Sequence, residues 1–118
     1  MTNAISPETV QRILKFRDDR EWGQFHNPKD LSLSICLEAA ELLECFQWTG
    51  ADTDNPGKRS AMVEELADVL TYCVLLSDRL GLNMDEIVQD KLTKSEAKYP
   101  VALARGSRAK YTELKERD

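Results

Sequence analysis

Four carboxylates stand at matched spacings in two apolar stretches of this chain. Glu38 and Glu41 interrupt "ICLEAAELLECFQW", and Glu65 and Asp68 interrupt "MVEELADVLTYCVLL". At about 100° per residue, side chains three apart share a helix face. Glu38 and Glu41 share theirs with Leu31, Ser34, Ile35, Leu42, Cys45 and Trp48. Glu65 and Asp68 share theirs with Ala61, Val69, Tyr72, Leu75 and Leu76, while Glu64 lies to one side. These acids therefore do not form a polar stripe. Carboxylates converging among apolar neighbours repel one another, and desolvation adds to the cost unless a cation neutralises them. Ligands that are all oxygen suit a hard ion, Mg²⁺ or Mn²⁺. The plainer alternative, a solvated helix face, explains a lone E-x-x-E more easily than two acid pairs with apolar neighbours. A di-iron carboxylate bundle would carry E-x-x-H pairs, and here positions 41 and 68 are glutamate and aspartate.

The elements that must position these acids are helices, because no sustained apolar/polar alternation marks a strand. Ser6 and Pro7 are suited to cap and open a first helix running to about Arg20, with Val10, Ile13, Leu14 and Phe16 as its apolar positions. The aromatic linker "EWGQFHNPKD" leads to a second helix over roughly Leu31 to Trp48, closed by the polar loop "TGADTDNPGK". A third helix spans about Arg59 to Leu80, with Gly81 placed to stop it. Asn83 and Glu86 form a capping pair for a fourth, Met84 to about Lys98, which Pro100 ends. The pattern predicts an all-α fold, most simply a four-helix bundle in one domain, with a helical core over about 6–100. The tail, 101–118, is expected to run over the surface or onto a partner chain. A short loop makes the second and third helices antiparallel, so their acids can face each other.

The chain has 118 residues, and its 42% hydrophobic and 31% charged content is that of an ordinary globular protein. No apolar run approaches a membrane span, and "MTNAISPETV" lacks a basic end followed by an apolar stretch, so the cytoplasm is the expected compartment. A formal charge of −5 and a pI near 4.9 argue against binding a nucleic acid polymer through its phosphates. They leave open a free nucleotide whose charge a divalent ion neutralises. Cys36, Cys45 and Cys73 lie in apolar helical runs and are expected as buried, reduced thiols. With His26 the only histidine, zinc is not expected. The second helix is apolar nearly all round, since Leu33, Cys36, Leu37, Ala40 and Leu43 lie away from its acids. Such a helix must be buried on every side, which predicts self-association.

E-x-x-E, a gap of 23 residues, then E-x-x-D resembles the signature of the MazG-like all-α nucleoside triphosphate pyrophosphohydrolases. "REWGQFHNPKDL", "EAAELLECFQW", "EELADVLTYCVLL" and "KYPVALARGSRAKYTEL" extend the resemblance, closest to the dCTP pyrophosphatase branch, over about residues 10–114. It implies that Glu38, Glu41, Glu65 and Asp68 coordinate Mg²⁺ and carry the catalysis. It implies a base pocket lined by Trp22, Gln24, Phe25, His26 and Trp48, with Tyr72 a further substrate contact. Aromatic faces hold a base by stacking, although core packing is their plainer role, as a helix-start hydrogen bond is for His26. Lys91, Lys94 and Lys98 form a basic stripe that could simply be solvated; the resemblance places Lys91 and Lys98 near the phosphates and Tyr99 over the nucleotide. Two positions depart from the pattern: Ser95, where members often carry asparagine, and Ile13, where some animal members carry histidine. Both bear on the base. The implied reaction is Mg²⁺-dependent hydrolysis of a (deoxy)nucleoside triphosphate, dCTP or a modified dCTP, to the monophosphate and pyrophosphate by a homotetramer built from dimers. The alternatives are the same fold acting on dUTP or another non-standard nucleotide, and a non-catalytic nucleotide-binding or helix-bundle interaction protein.

Overall fold

The computed structural model describes residues 5–114; the first four residues and the last four of the expected tail lie outside the described residues. The chain packs as two compact units, one ending at Gly81 and the other beginning at Leu82. Among the described residues every regular element is helical and none is a strand, as the sequence predicts.

The first unit opens with α1, Pro7–Asp19, where Ser6 Oγ accepts the Thr9 amide at 3.1 Å. Glu21 then takes a left-handed φ of 53° and launches a single 3-10 turn, Trp22–Phe25. The second helix, α2, spans Pro28–Glu44. It starts earlier than expected because Asn27 caps it, accepting the Asp30 amide at 2.8 Å, with Pro28 in the first turn. It also ends earlier, at Glu44 instead of Trp48. The amides of Cys45, Phe46 and Gln47 each reach back three residues, which tightens the chain, and Trp48 adopts a φ of 66°. Asn55 Nδ2 donates to the Cys45 carbonyl at 2.5 Å, satisfying an acceptor that the helix end leaves open. A 3-10 turn, Pro56–Lys58, leads into α3, Arg59–Arg79, and Gly81 with φ 68° follows its end.

Packing of α2 on α3 forms the core of this unit around Leu31, Cys45, Val74 and Leu75. Cys73 is half-buried, while Cys36 is exposed, contrary to expectation, because its face of α2 points away from α3. Arg17 Nη1 donates to Asp78 Oδ2 at 2.7 Å and ties α1 to α3. This tie also fixes direction. Thr9 lies roughly 12 Å up α1 from Arg17, and Asp68 lies roughly 15 Å up α3 from Asp78. Were the helices antiparallel, Thr9 and Asp68 would stand roughly 27 Å apart along the axis, yet both line one cavity. The two helices therefore run the same way.

The second unit holds α4, Met84–Lys98, capped as expected by Asn83, which accepts the Glu86 amide at 3.0 Å. Pro100 ends it, and part of the predicted tail is helical: α5, Val101–Ala104, and α6, Tyr111–Leu114. Tyr111 meets Tyr99 edge to face at 6.2 Å, with the Lys98 ammonium 5.0 Å from the Tyr111 ring centre. No helix among the described residues is long and apolar enough to cross a membrane.

Candidate functional site

The faces of α2 and α3 that carry the core also carry the acids. One carboxylate oxygen from each of Glu38, Glu65 and Asp68 lies within 4.8 Å of the others. Glu41 stands beside this trio, close enough to act on the Glu38 and Glu65 carboxyls. Glu38 Oε2 and Glu65 Oε2 are fully buried and meet no donor. Burial, then the hydrogen bond and charge of Glu41, pushes the Glu38 carboxyl up from its ordinary range. The Glu65 carboxyl is pushed up to about 7, first by its hydrogen bond with Glu41, then by burial and the charges of Glu41, Asp68 and Glu38. Buried, donor-less and mutually repelling oxygens are the donor set that a hard divalent cation satisfies.

Glu38 and Asp68 also form one wall of a cavity of about 510 Å³. Its other walls come from Tyr72 and Leu75 of α3, from Trp22 and His26 of the aromatic turn, and from Thr9, Arg12, Ile13, Phe16 and Arg17 of α1. Because α1 and α3 run parallel and α2 antiparallel to α3, the cavity is polar at one end and aromatic at the other. Trp22 packs edge to face on Phe16 at 5.6 Å, and the Arg20 guanidinium covers Phe16 at 3.8 Å from the ring centre. His26 Nδ1 is buried without a partner; burial, and secondarily the Arg17 charge, lowers its pKa and keeps the ring neutral.

Of the positions singled out in the sequence, Glu38, Asp68, Trp22, His26 and Tyr72 meet at this cavity, with Glu65 and Glu41 beside its acidic wall. Gln24 donates to the Glu21 carbonyl at 2.9 Å, and neither it nor Phe25 is part of the lining. Trp48 is 91% exposed and is also outside the lining. Lys91, Ser95, Lys98 and Tyr99 belong to the second unit, where Lys98 and Tyr99 gather around Tyr111. Beyond Ile13, which the family resemblance ties to the base, sequence reasoning missed the contribution of α1. Its signal was present: Thr9, Arg12, Ile13, Phe16 and Arg17 recur at helical spacing, a stripe too polar to be core alone.

The model of the MazG-like family matches residues 33–114. The chain is 39% identical over 113 residues to dCTP pyrophosphatase 1 of Bos taurus, covering 91% of this chain and 67% of that one. It is 40% identical over 113 residues to dCTP pyrophosphatase 1 of Homo sapiens, covering 91% of this chain and 66% of that protein. The chain thus spans about two-thirds of the length of these relatives. Among solved structures, a pyrophosphatase from Archaeoglobus fulgidus DSM 4304 superposes with a TM-score of 0.74 at 38% identity, covering 85% of this chain and 98% of that one.

Proposed function

The chain belongs to the MazG-like family and is an enzyme of the nucleoside triphosphate pyrophosphohydrolase class, and from that premise we propose that it hydrolyses dCTP or a modified dCTP in a Mg²⁺-dependent reaction. The observation that carries this reading is the convergence of the Glu38, Glu65 and Asp68 oxygens at one end of a cavity whose other end is aromatic. Glu38, Glu41, Glu65 and Asp68 would hold the cation, which when bound neutralises phosphate charge and makes a water more acidic. The rest falls to the chain. Trp22 and Phe16 offer ring surface to a base, and His26, held neutral, offers it a hydrogen-bonding nitrogen. Tyr72 lies on α3 one turn beyond Asp68, beside the sugar between the two ends. We assign the proton of the attacking water to one of the carboxylates, Glu38 or Glu41. The family resemblance supports Lys91 and Lys98 as phosphate contacts, Tyr99 as a further nucleotide contact and Ser95 as a base-reading position.

We further propose that the enzyme is a cytoplasmic homotetramer, a dimer of dimers. Trp48 is exposed on its own chain, and its place in the motif "FQW" supports a role in the base pocket of a neighbouring copy.

Hydrolysis in ¹⁸O-labelled water tests the reaction class. Attack at the α-phosphorus places the label in the monophosphate and leaves pyrophosphate unlabelled; orthophosphate as the first product would sink the proposal. A panel of common and modified nucleotides tests the base. If dUTP ranks first, the cytosine assignment falls and the reaction class stands.

A further inference from the structure

The cavity takes two cations from α1, Arg12 and Arg17, and they are not equivalent. Arg17 is committed within the fold: Nε donates to Asp18 at 2.8 Å, Nη1 to Asp78 at 2.7 Å, and its side chain is only 18% exposed. Arg12 is exposed at the cavity and has no hydrogen bond or ion pair among the described residues. Its position along the cavity is set by the parallel course of α1 and α3. Arg12 lies roughly 6 Å from Phe16 along α1, on the side away from the aromatic end. Helical side chains lean toward their own N-terminus, and for α1 that direction is toward the acids. Arg12 therefore stands between the ring surface and the carboxylates, the stretch that an extended triphosphate chain crosses when its base lies on Trp22 and its phosphates meet the acids.

A guanidinium presents a planar fork of donors that matches phosphate oxygens. The cavity otherwise faces this stretch with two carboxylates and no uncommitted cation. We propose that Arg12 is a substrate-binding residue that grips the triphosphate chain between the aromatic and acidic ends of the cavity. This assignment rests on the nucleotide reading above.

The test is isothermal titration of the α,β-imido analogue of dCTP in saturating Mg²⁺, with deoxycytidine followed in parallel by NMR shift titration. Arg12 is exposed, so Arg12→Gln is expected to fold with full helicity. It should weaken analogue binding about tenfold, the scale of one lost hydrogen bond to a charged group, and leave deoxycytidine binding unchanged. Arg12→Lys, which keeps the charge but not the fork, should recover only part of the loss. Unchanged analogue affinity in Arg12→Gln overturns the assignment while the nucleotide reading stands. Equal losses for analogue and deoxycytidine also overturn it, because they place Arg12 at the base. A wild-type protein that binds no analogue overturns both.

Discussion

Glu38 and Glu65 each bury an oxygen that no donor reaches, and the proton becomes the metal-free protein's substitute for a cation. The folded protein holds the Glu65 proton up to about 7, against an ordinary 4.5. Between those values the unfolded chain has released a proton that the native state still binds, so stability falls as pH rises through the window. The thermal midpoint in EDTA should therefore be higher at pH 5 than at pH 8 because of this group. His26 acts in the opposite sense up to 6.5, since its folded pKa is lowered. Glu65→Gln isolates the carboxylate's part: the wild-type decline relative to this variant should disappear on saturation with Mg²⁺. If the variant shows the same pH dependence as wild type in EDTA, Glu65 is not the titrating group. Glu41 is the neighbour that raises both carboxyls. Glu41→Gln keeps a fair helix former and removes one charge, so the metal-free protein should melt higher at pH 8. Turnover at saturating Mg²⁺ should fall about a hundredfold or more. Near-normal turnover would remove Glu41 from the metal site.

The limits of α2 separate what short-range pattern can reveal from what it cannot. Ser6 with Pro7, Asn83 with Glu86 and Gly81 act within a turn of themselves, and each sits at its expected helix end. The acid faces were legible for the same reason, since helical spacing alone puts Glu38 with Leu31 and Glu65 with Leu75. The end of α2 was not legible. Apolar residues continue through Phe46 to Trp48, but the helix is closed by Asn55, ten positions beyond the Cys45 carbonyl it binds. The rest of α1's role was hidden differently, because Phe16 satisfies the pattern of a core residue while lining a cavity. Asn55 itself has φ 39°, a left-handed conformation costly for most side chains. Asn55→Ala should lose about 2 kcal/mol in urea unfolding, combining the bond and the backbone strain, and Asn55→Gly about 1 kcal/mol. Equal losses for the two variants would show that the backbone conformation contributes nothing.

At the scale of the whole molecule, the apolar side chains left exposed on α2 and α3 support the proposed self-association. Leu37 is 64% and Leu43 70% exposed on α2, Leu33 accompanies them, and Val63 and Leu66 add to it from α3. Large apolar side chains left this exposed support an interaction surface. Light scattering is expected to report about four times 13.4 kDa, and Leu37→Glu with Leu43→Glu should reduce the mass by burying charge at the contact. In the proposed shared pocket Trp48 would link assembly to catalysis, and its loop is braced by Asn55 on Cys45 and by Asp52, which accepts the Asp54 and Asn55 amides at 3.0 Å. A braced loop that presents a bare indole is suited to fill a neighbour's cavity. Trp48→Ala should therefore keep the oligomer and raise KM, while Glu41→Gln keeps Trp48 and loses turnover. When the two variants are unfolded together and refolded as mixed oligomers, an intact Trp48 from one chain can close the intact acid site of the other. Activity should then rise well above the sum of the two variants refolded separately. If Trp48 serves only the cavity of its own chain, mixing leaves every site defective and no activity returns.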